Sequence, residues 1–185
     1  MTTSTARPLL ISRRRFTRLL RELHRRGEDR RESGAFLLAH RDARPIAGGL
    51  EITGIIYYDD LDADCLTGGI TMHAIGLSRL NQLCRERGLR VLGDIHTHPS
   101  RYIQQSRIDA THPMIALPGH LAFIAPNYAA GPIRATDLGG HRLLPGGAWE
   151  PAYGADVTGM LRVRAGFLLA VARLRHLFPN SKEMR

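Results

Sequence analysis

Between Asp94 and Asp109 the chain reads DIHTHPSRYIQQSRID, which sets His96 and His98 one residue apart and follows them with Ser106 and Asp109. If this stretch begins as a strand, side chains alternate and the two imidazoles point to the same side, about two residues' rise apart. Two neutral imidazoles that close can share one metal ion. Zinc binds histidine nitrogen at about 2.0 Å, accepts carboxylate oxygen, and in catalytic sites takes three protein ligands with the fourth position left to water. The third ligand is then a carboxylate or histidine nearby in the fold. Asp109 fits if PSRYIQQSRI leaves the strand at Pro99 and folds back over its end, a return that a turn at proline allows. Ser106, three residues before Asp109, shares that turn, where its hydroxyl can donate to a developing oxyanion or orient a water.

An activated water also needs a base. Glu32 opens the segment ESGAFLLAHRD, and a sheet can place the start of one strand beside the end of another, so it is a candidate among seven glutamates. Asp94 lies in phase with both histidines. It reads either as an acceptor for an imidazole N–H behind the metal or as a loop-facing carboxylate.

The elements that must position these groups follow from hydrophobic periodicity. PLLIS, residues 8–12, reads as a short strand, and residues 13–27 as a helix with Phe16, Leu19, Leu20 and Leu23 at helical spacing and an arginine-rich opposite face. That face reads as solvated. ESGAFLLAHRD reads as a buried strand, LEITGIIYYDDL from Leu50 as its hairpin neighbour, and ITMH as a further strand. Residues 74–88 form an amphipathic helix ending at glycine. LRVLGDIHTH and HLAFIAPNYA return as strands, and the glycine-rich stretch 139–156 as a loop or edge hairpin. Beyond it Met160, Val163, Phe167, Val171, Leu174 and Phe178 line one stripe of a terminal helix, about 155–178, packed on the sheet. The order predicts an α/β fold with one mixed sheet between helices, in a single domain spanning 1–185.

The 185 residues, 43% of them hydrophobic, suit one globular core. Of 26 basic residues 25 are arginine, and the net charge is +9. That favours acidic partners in general, while specific nucleic-acid binding is not expected from charge alone. Cys65 and Cys84 are the only cysteines and have no paired spacing, so they read as reduced thiols, neither a disulfide framework nor a zinc knuckle. The first residues lack the apolar core of a secretory signal, and the run from Phe167 to Ala172 is too short to cross a bilayer, so a soluble cytoplasmic protein is expected.

The string H-T-H-P-S-R-Y-I-Q-Q-S-R-I-D has His-x-His, seven residues, Ser, two residues, Asp. With Glu32-Ser-Gly-Ala-Phe-Leu-Leu upstream, it resembles the signature of the JAMM metalloproteases, also called MPN+ or JAB-domain proteases, over roughly residues 8–135. The resemblance implies an MPN/JAB-type, cytidine-deaminase-like fold. It implies zinc held by His96, His98 and Asp109, with Glu32 as the general base that later protonates the leaving amine. Ser106 would help stabilise the tetrahedral intermediate. It further implies hydrolysis of isopeptide or peptide bonds after the C-terminal glycine of a ubiquitin-like protein. Zinc of this kind lowers the pKa of its water towards about 7 and polarises the scissile carbonyl.

Asp94 stands where eukaryotic members often carry an aromatic residue, and their linkage-selecting insertions are missing. The compact chain therefore looks more like a bacterial JAB-domain protein. Such relatives process or deconjugate ubiquitin-like modifiers beside activating and conjugating enzymes, some in antiviral defence. Pairing of two copies, which relatives often show, is left open.

Two rivals remain. DIHTH also resembles the opening motif of PHP-type phosphoesterases, but beginning at residue 94 it leaves too little chain for the rest of a barrel. The other rival is a non-catalytic MPN-type scaffold that holds zinc and binds a ubiquitin-like partner without cutting it. A closed structural zinc site needs four protein ligands, and His112 is the near candidate for the fourth. His120 and His141 read as isolated surface histidines, and His73 as a strand-end residue with a structural hydrogen bond. Trp149 and Tyr153 read as anchors for the terminal helix, and the acidic run 57–64 as a solvated turn.

Overall fold

The computed structural model describes residues 7–165. A short strand, β1 (Leu9–Ser12), runs directly into helix α1 (Arg13–Gly27). Ser12 supplies the N-cap by accepting the Arg15 backbone N–H at 3.3 Å, which satisfies one of the helix's unpaired first-turn donors. Phe16, Leu19, Leu20 and Leu23 form the buried stripe of α1, as their spacing requires. The chain continues through β2 (Gly34–His40), β3 (Leu50–Glu51), β4 (Gly54–Tyr57), the single turn α2 (Tyr58–Leu61) and α3 (Ala74–Glu86). Then come β5 (Leu89–Thr97), the short α4 (Arg107–Thr111), β6 (Leu121–Ala125), β7 (Gly139–Leu143), β8 (Trp149–Ala152) and β9 (Leu161–Arg164).

Six strands make the principal sheet in the order β4-β2-β5-β6-β7-β8. β5 and β6 run parallel, and the other neighbours are antiparallel. Helices cover both faces, which is why β2 reads as an unbroken apolar run with every residue from Gly34 to Ala39 buried. Ala35, Leu37, Ile95 and Phe123 join the stripe of α1 on one face. On the other face Phe36 and Leu38 pack with Tyr58, Leu61, Leu80 and Cys84 from α2 and α3. The architecture is thus mixed α/β with helices flanking the sheet.

Three expectations need correction. The strands do not form one sheet: β1 lies between β3 and β9 in a separate three-stranded sheet, parallel to both. The segment from Leu50 therefore divides, because buried Ile52 donates its backbone N–H to Leu10 while Thr53 donates to Leu38 across the principal sheet. ITMH is not a strand; Leu66 and Ile70 form an isolated bridge, and His73 begins α3. The terminal helix does not begin at residue 155, since a 3₁₀ segment (Gly154–Gly159) leads into β9, which pairs with β1. Met160 and Val163 belong to that stretch, while Phe167, Val171, Leu174 and Phe178 lie outside the described residues.

The acidic run is not a solvated turn either. Asp59 and Asp60 pair with Arg26, whose guanidinium also sits 4.1 Å from the centre of the Tyr57 ring. Among the described residues no helix is long and apolar enough to cross a membrane. Cys65 and Cys84 are both buried and free. Burial pushes the Cys65 thiol up to about 12, with Asp62 and Asp59 adding to the effect.

Gly34 is the point at which β2 meets α2, because a methyl group there would overlap the ring of fully buried Tyr58. Gly34→Ala is expected to destabilise the protein by about 1–3 kcal/mol, the usual cost of overpacking a filled core. Chemical denaturation checks this: an unchanged midpoint would show that the Tyr58 ring can move aside.

Candidate metal centre

β5 occupies the middle of the principal sheet, between antiparallel β2 and parallel β6. His96 is its penultimate residue, and His98 follows its end. Both side chains are buried on the face shared with Asp94, as strand alternation demands. The chain then turns at Pro99 and returns so that α4 brings Asp109 over the end of β5. Ser106 caps α4: its Oγ accepts the Asp109 backbone N–H at 3.2 Å, while Asp109 Oδ2 accepts the Ser106 backbone N–H at 2.7 Å. This reciprocal capping box fixes the Asp109 side chain against the first turn of its own helix.

The three groups converge. His96 Nε2 lies 3.2 Å from His98 Nε2. Asp109 Oδ1 is 3.5 Å from His96 Nε2, and Oδ2 is 3.3 Å from His98 Nε2. Ligands about 2.0 Å from a tetrahedral ion stand about 3.3 Å from one another, so these separations suit a zinc-sized centre. The His98 ring is oriented from behind, with Nδ1 2.9 Å from the Tyr102 carbonyl, to which it donates. That bond selects the tautomer whose Nε2 lone pair faces Asp109 and His96. His112 does not join the group among the described residues; its ring contacts the Thr111 hydroxyl, and the donor cluster comprises His96, His98 and Asp109 alone.

Glu32 arrives by sheet register. Gly34 pairs with His96, and Thr97 donates its backbone N–H to the Ser33 carbonyl, so Glu32 stands level with the end of β5. It lines the same cleft of about 760 Å³ as His96, Ser106 and Asp109. Burial raises its carboxyl above the ordinary glutamate value, with the neighbouring histidines pulling the other way and Asp109 reinforcing the rise. Asp109 goes in the opposite direction. Burial alone would raise its carboxyl, but the imidazoles of His96 and His98 beside it outweigh that and hold the group far below the usual carboxylate range. The arrangement pairs an anionic ligand with a more basic carboxylate, a division of roles that acid–base chemistry at a metal uses.

Asp94 is buried, not loop-facing, and it accepts from groups the sequence did not indicate. The Tyr58 hydroxyl donates to Oδ2 at 2.8 Å, and His120 Nε2 contacts Oδ1. Burial and the Asp94 carboxylate both push the Tyr58 hydroxyl well above its ordinary pKa, so it remains a donor. His96 Nδ1 is 4.0 Å from Asp94 Oδ2, too far for a hydrogen bond. His120 is therefore a buried partner of Asp94, and His141 is buried with Nε2 3.2 Å from the Ile103 carbonyl; neither is a surface histidine. His73 is structural, as expected, but as the N-cap residue of α3, bonded to Asp62 through its ring and its backbone. Trp149 lines the cleft and donates Nε1–H to the Ala110 carbonyl at 3.1 Å, while the terminal helix it was expected to anchor lies outside the described residues.

No family model matches the chain. Over 87 residues it is 31% identical to a curated Sinorhizobium fredii protein named "Probable metalloprotease y4jG", an alignment covering 47% of this chain and 53% of that protein. The chain thus spans about half the length of the curated relative it matches. Its fold is similar to the solution structure of protein DSY2949 from Desulfitobacterium hafniense, with a TM-score of 0.55 and 14% identity over 85% of this chain and 94% of that one. A Salinibacter ruber protein gives a TM-score of 0.53 and 16% identity, covering 86% and 92% of the respective chains. The donor cluster of this chain could hold a metal ion, and the curated relative carries the name of a metalloprotease.

Elemental analysis should find about one zinc per chain. His96→Ala and Asp109→Ala are expected to lose it and Glu32→Gln to keep it; equal metal in all variants would place the ion elsewhere. Affinity should weaken on acidification, because a protonated imidazole cannot bind. Burial resists protonation of His96, but Asp109 raises its pKa above the ordinary 6.5, so proton competition should begin above that pH in a zinc titration.

Proposed function

We propose that this protein is a JAMM-type, MPN+/JAB-domain zinc metalloprotease. It would cleave the isopeptide or peptide bond after the C-terminal glycine of a ubiquitin-like protein, in modifier processing or deconjugation. The observation that carries the reading is the convergence of His96, His98 and Asp109 at tetrahedral spacing, with His96 and Asp109 lining one cleft together with Glu32 and Ser106. The 31% identity to a probable metalloprotease over 87 residues supports the protease class. The signature His-x-His, Ser, Asp with its separate glutamate supports the JAMM type.

His96, His98 and Asp109 would hold the ion, which when bound supplies Lewis-acid activation of water and of the scissile carbonyl. Glu32, raised by burial, takes a proton from the attacking water and returns it to the leaving amine, which departs poorly unless protonated. Ser106 already uses its oxygen to accept the Asp109 N–H, which leaves its O–H to donate to the developing oxyanion. An extended glycine-terminated tail fits a cleft of this kind through main-chain hydrogen bonds, with small residues beside the metal. The proposed partners are a ubiquitin-like protein, its conjugates and the associated activating and conjugating enzymes of a bacterial system, antiviral defence among its settings.

Fusions of ubiquitin-like proteins to a reporter through their terminal glycine provide the test. Cleavage after that glycine by the zinc-loaded protein should fall at least about 100-fold in Glu32→Gln, the usual weight of a general base, while zinc content stays unchanged. Full activity in that variant would remove Glu32 as the base. Stable binding of the fusions without cleavage would replace the protease reading with that of a zinc-holding scaffold.

A further inference from the structure

α4 carries Asp109 and is capped by Ser106, yet none of its five residues is buried. Hydrophobic packing therefore does not fix its position. A metal ligand displaced by even a fraction of an ångström changes both distance and angle, so polar anchors must hold this turn. Besides the contacts of Asp109 with His96 and His98, three bonds among the described residues link the segment from Tyr102 to Ala110 with other parts of the chain. One is the His98 bond to the Tyr102 carbonyl, made by a ligand itself. The other two come from the β7–β8 hairpin at the sheet's edge: His141 to the Ile103 carbonyl, and Trp149 to the Ala110 carbonyl.

These two bonds bracket Ser106 and Asp109 along the chain, one before and one after. Both use side-chain N–H groups aimed at backbone carbonyls, so both constrain the path of the turn irrespective of its side chains. Burial lowers the pKa of His141, although the Ile103 contact pulls the other way, and the ring remains a neutral donor. The contact is made closer still by Gly139 on β7, where a methyl group would collide with that same Ile103 carbonyl. The hairpin is rigidly placed, since β7 pairs with β6 and packs on Met160, and β6 pairs with the ligand-bearing β5.

We propose that His141 and Trp149 are positioning residues for the metal centre: the β7–β8 hairpin clamps the returning turn so that Asp109 meets His96 and His98. The inference rests on the metal-centre reading, but not on the identity of any substrate. Neither residue touches a donor atom, so each acts through the turn. Outer partners of this kind set metal affinity over about 10–100-fold.

The test is zinc affinity, measured on the full chain by competition with a chelating dye, beside the melting temperature of the zinc-free protein. Trp149→Phe keeps an aromatic ring and removes the N–H; it should weaken zinc about tenfold while the zinc-free melting temperature stays put. At position 141 two substitutions are compared. His141→Gln retains an N–H donor and should hold affinity near wild type, whereas His141→Leu should weaken zinc by a similar factor. Tryptophan emission provides a second readout, because Trp149 is the sole tryptophan: zinc should shift it in wild type and not in His96→Ala.

Unchanged affinity in both Trp149→Phe and His141→Leu would overturn the clamp and leave the metal centre standing. Equal weakening in His141→Gln and His141→Leu, or a parallel fall in zinc-free stability, would reduce these residues to general support and overturn it also. No zinc binding by wild type would remove the metal centre and the clamp together.

Discussion

The centre depends first on the register between β2 and β5. Antiparallel pairing of Gly34 with His96 sends the chain before β2 past the end of β5, which is how a glutamate more than sixty residues away reaches the two histidines. A slip of one residue would turn the Phe36 and Leu38 face over to α1 and move Glu32 out of line. The register is held by burial on both faces of β2, and by Ser33 and Thr97 at the strand ends. There Ser33 N–H donates to Thr97 Oγ1 at 3.0 Å, and the Ser33 hydroxyl donates to the Leu23 carbonyl of α1 at 2.7 Å. Helix, strand and site are thus tied at one corner of the sheet.

Behind that corner lies polarity outside the donor cluster. Asp94 is an acid buried in the sheet, and an unpaired carboxylate there would carry a severe desolvation penalty. Tyr58 and His120 satisfy it from the two sides, one from α2 and one from the residue preceding β6. The network ties two separate chain segments to the strand that carries His96. Its geometry leaves His96 Nδ1 outside hydrogen-bonding range, so the orientation of that ring comes from packing in the strand end, while His98 is oriented by a backbone carbonyl.

Much of this was legible in the sequence because the information is local. α1 and α3 announce themselves by apolar spacing, β2 and β5 by buried runs, and the donor set by a string whose two histidines and aspartate lie within fourteen residues. Glu32 required only the idea that one strand's start can lie beside another's end. What escaped was non-local. The separation of β1, β3 and β9 into their own sheet depends on pairings across the whole chain. Met160 and Val163 satisfy helical spacing, but a pair three residues apart fits a 3₁₀ turn running into a strand equally well. His120 reaches Asp94 only because β5 and β6 run parallel, setting Asp94 opposite Ala122. His141 and Trp149 carry no signal at all until the hairpin is seen at the sheet's edge.

The bareness of α4 also divides the donor set by mechanical character. Two donors issue from the buried end of a central strand of the sheet, whose amide protons should exchange with solvent only through near-global unfolding. The third rides on a turn with no buried side chain, whose amides should exchange through shallow local openings. The centre therefore joins a stable cooperative unit to a labile one. An ion bridging the two would slow exchange across residues 106–112 far more than in β5, giving the protein a way to register occupancy in its surface without any change in its core.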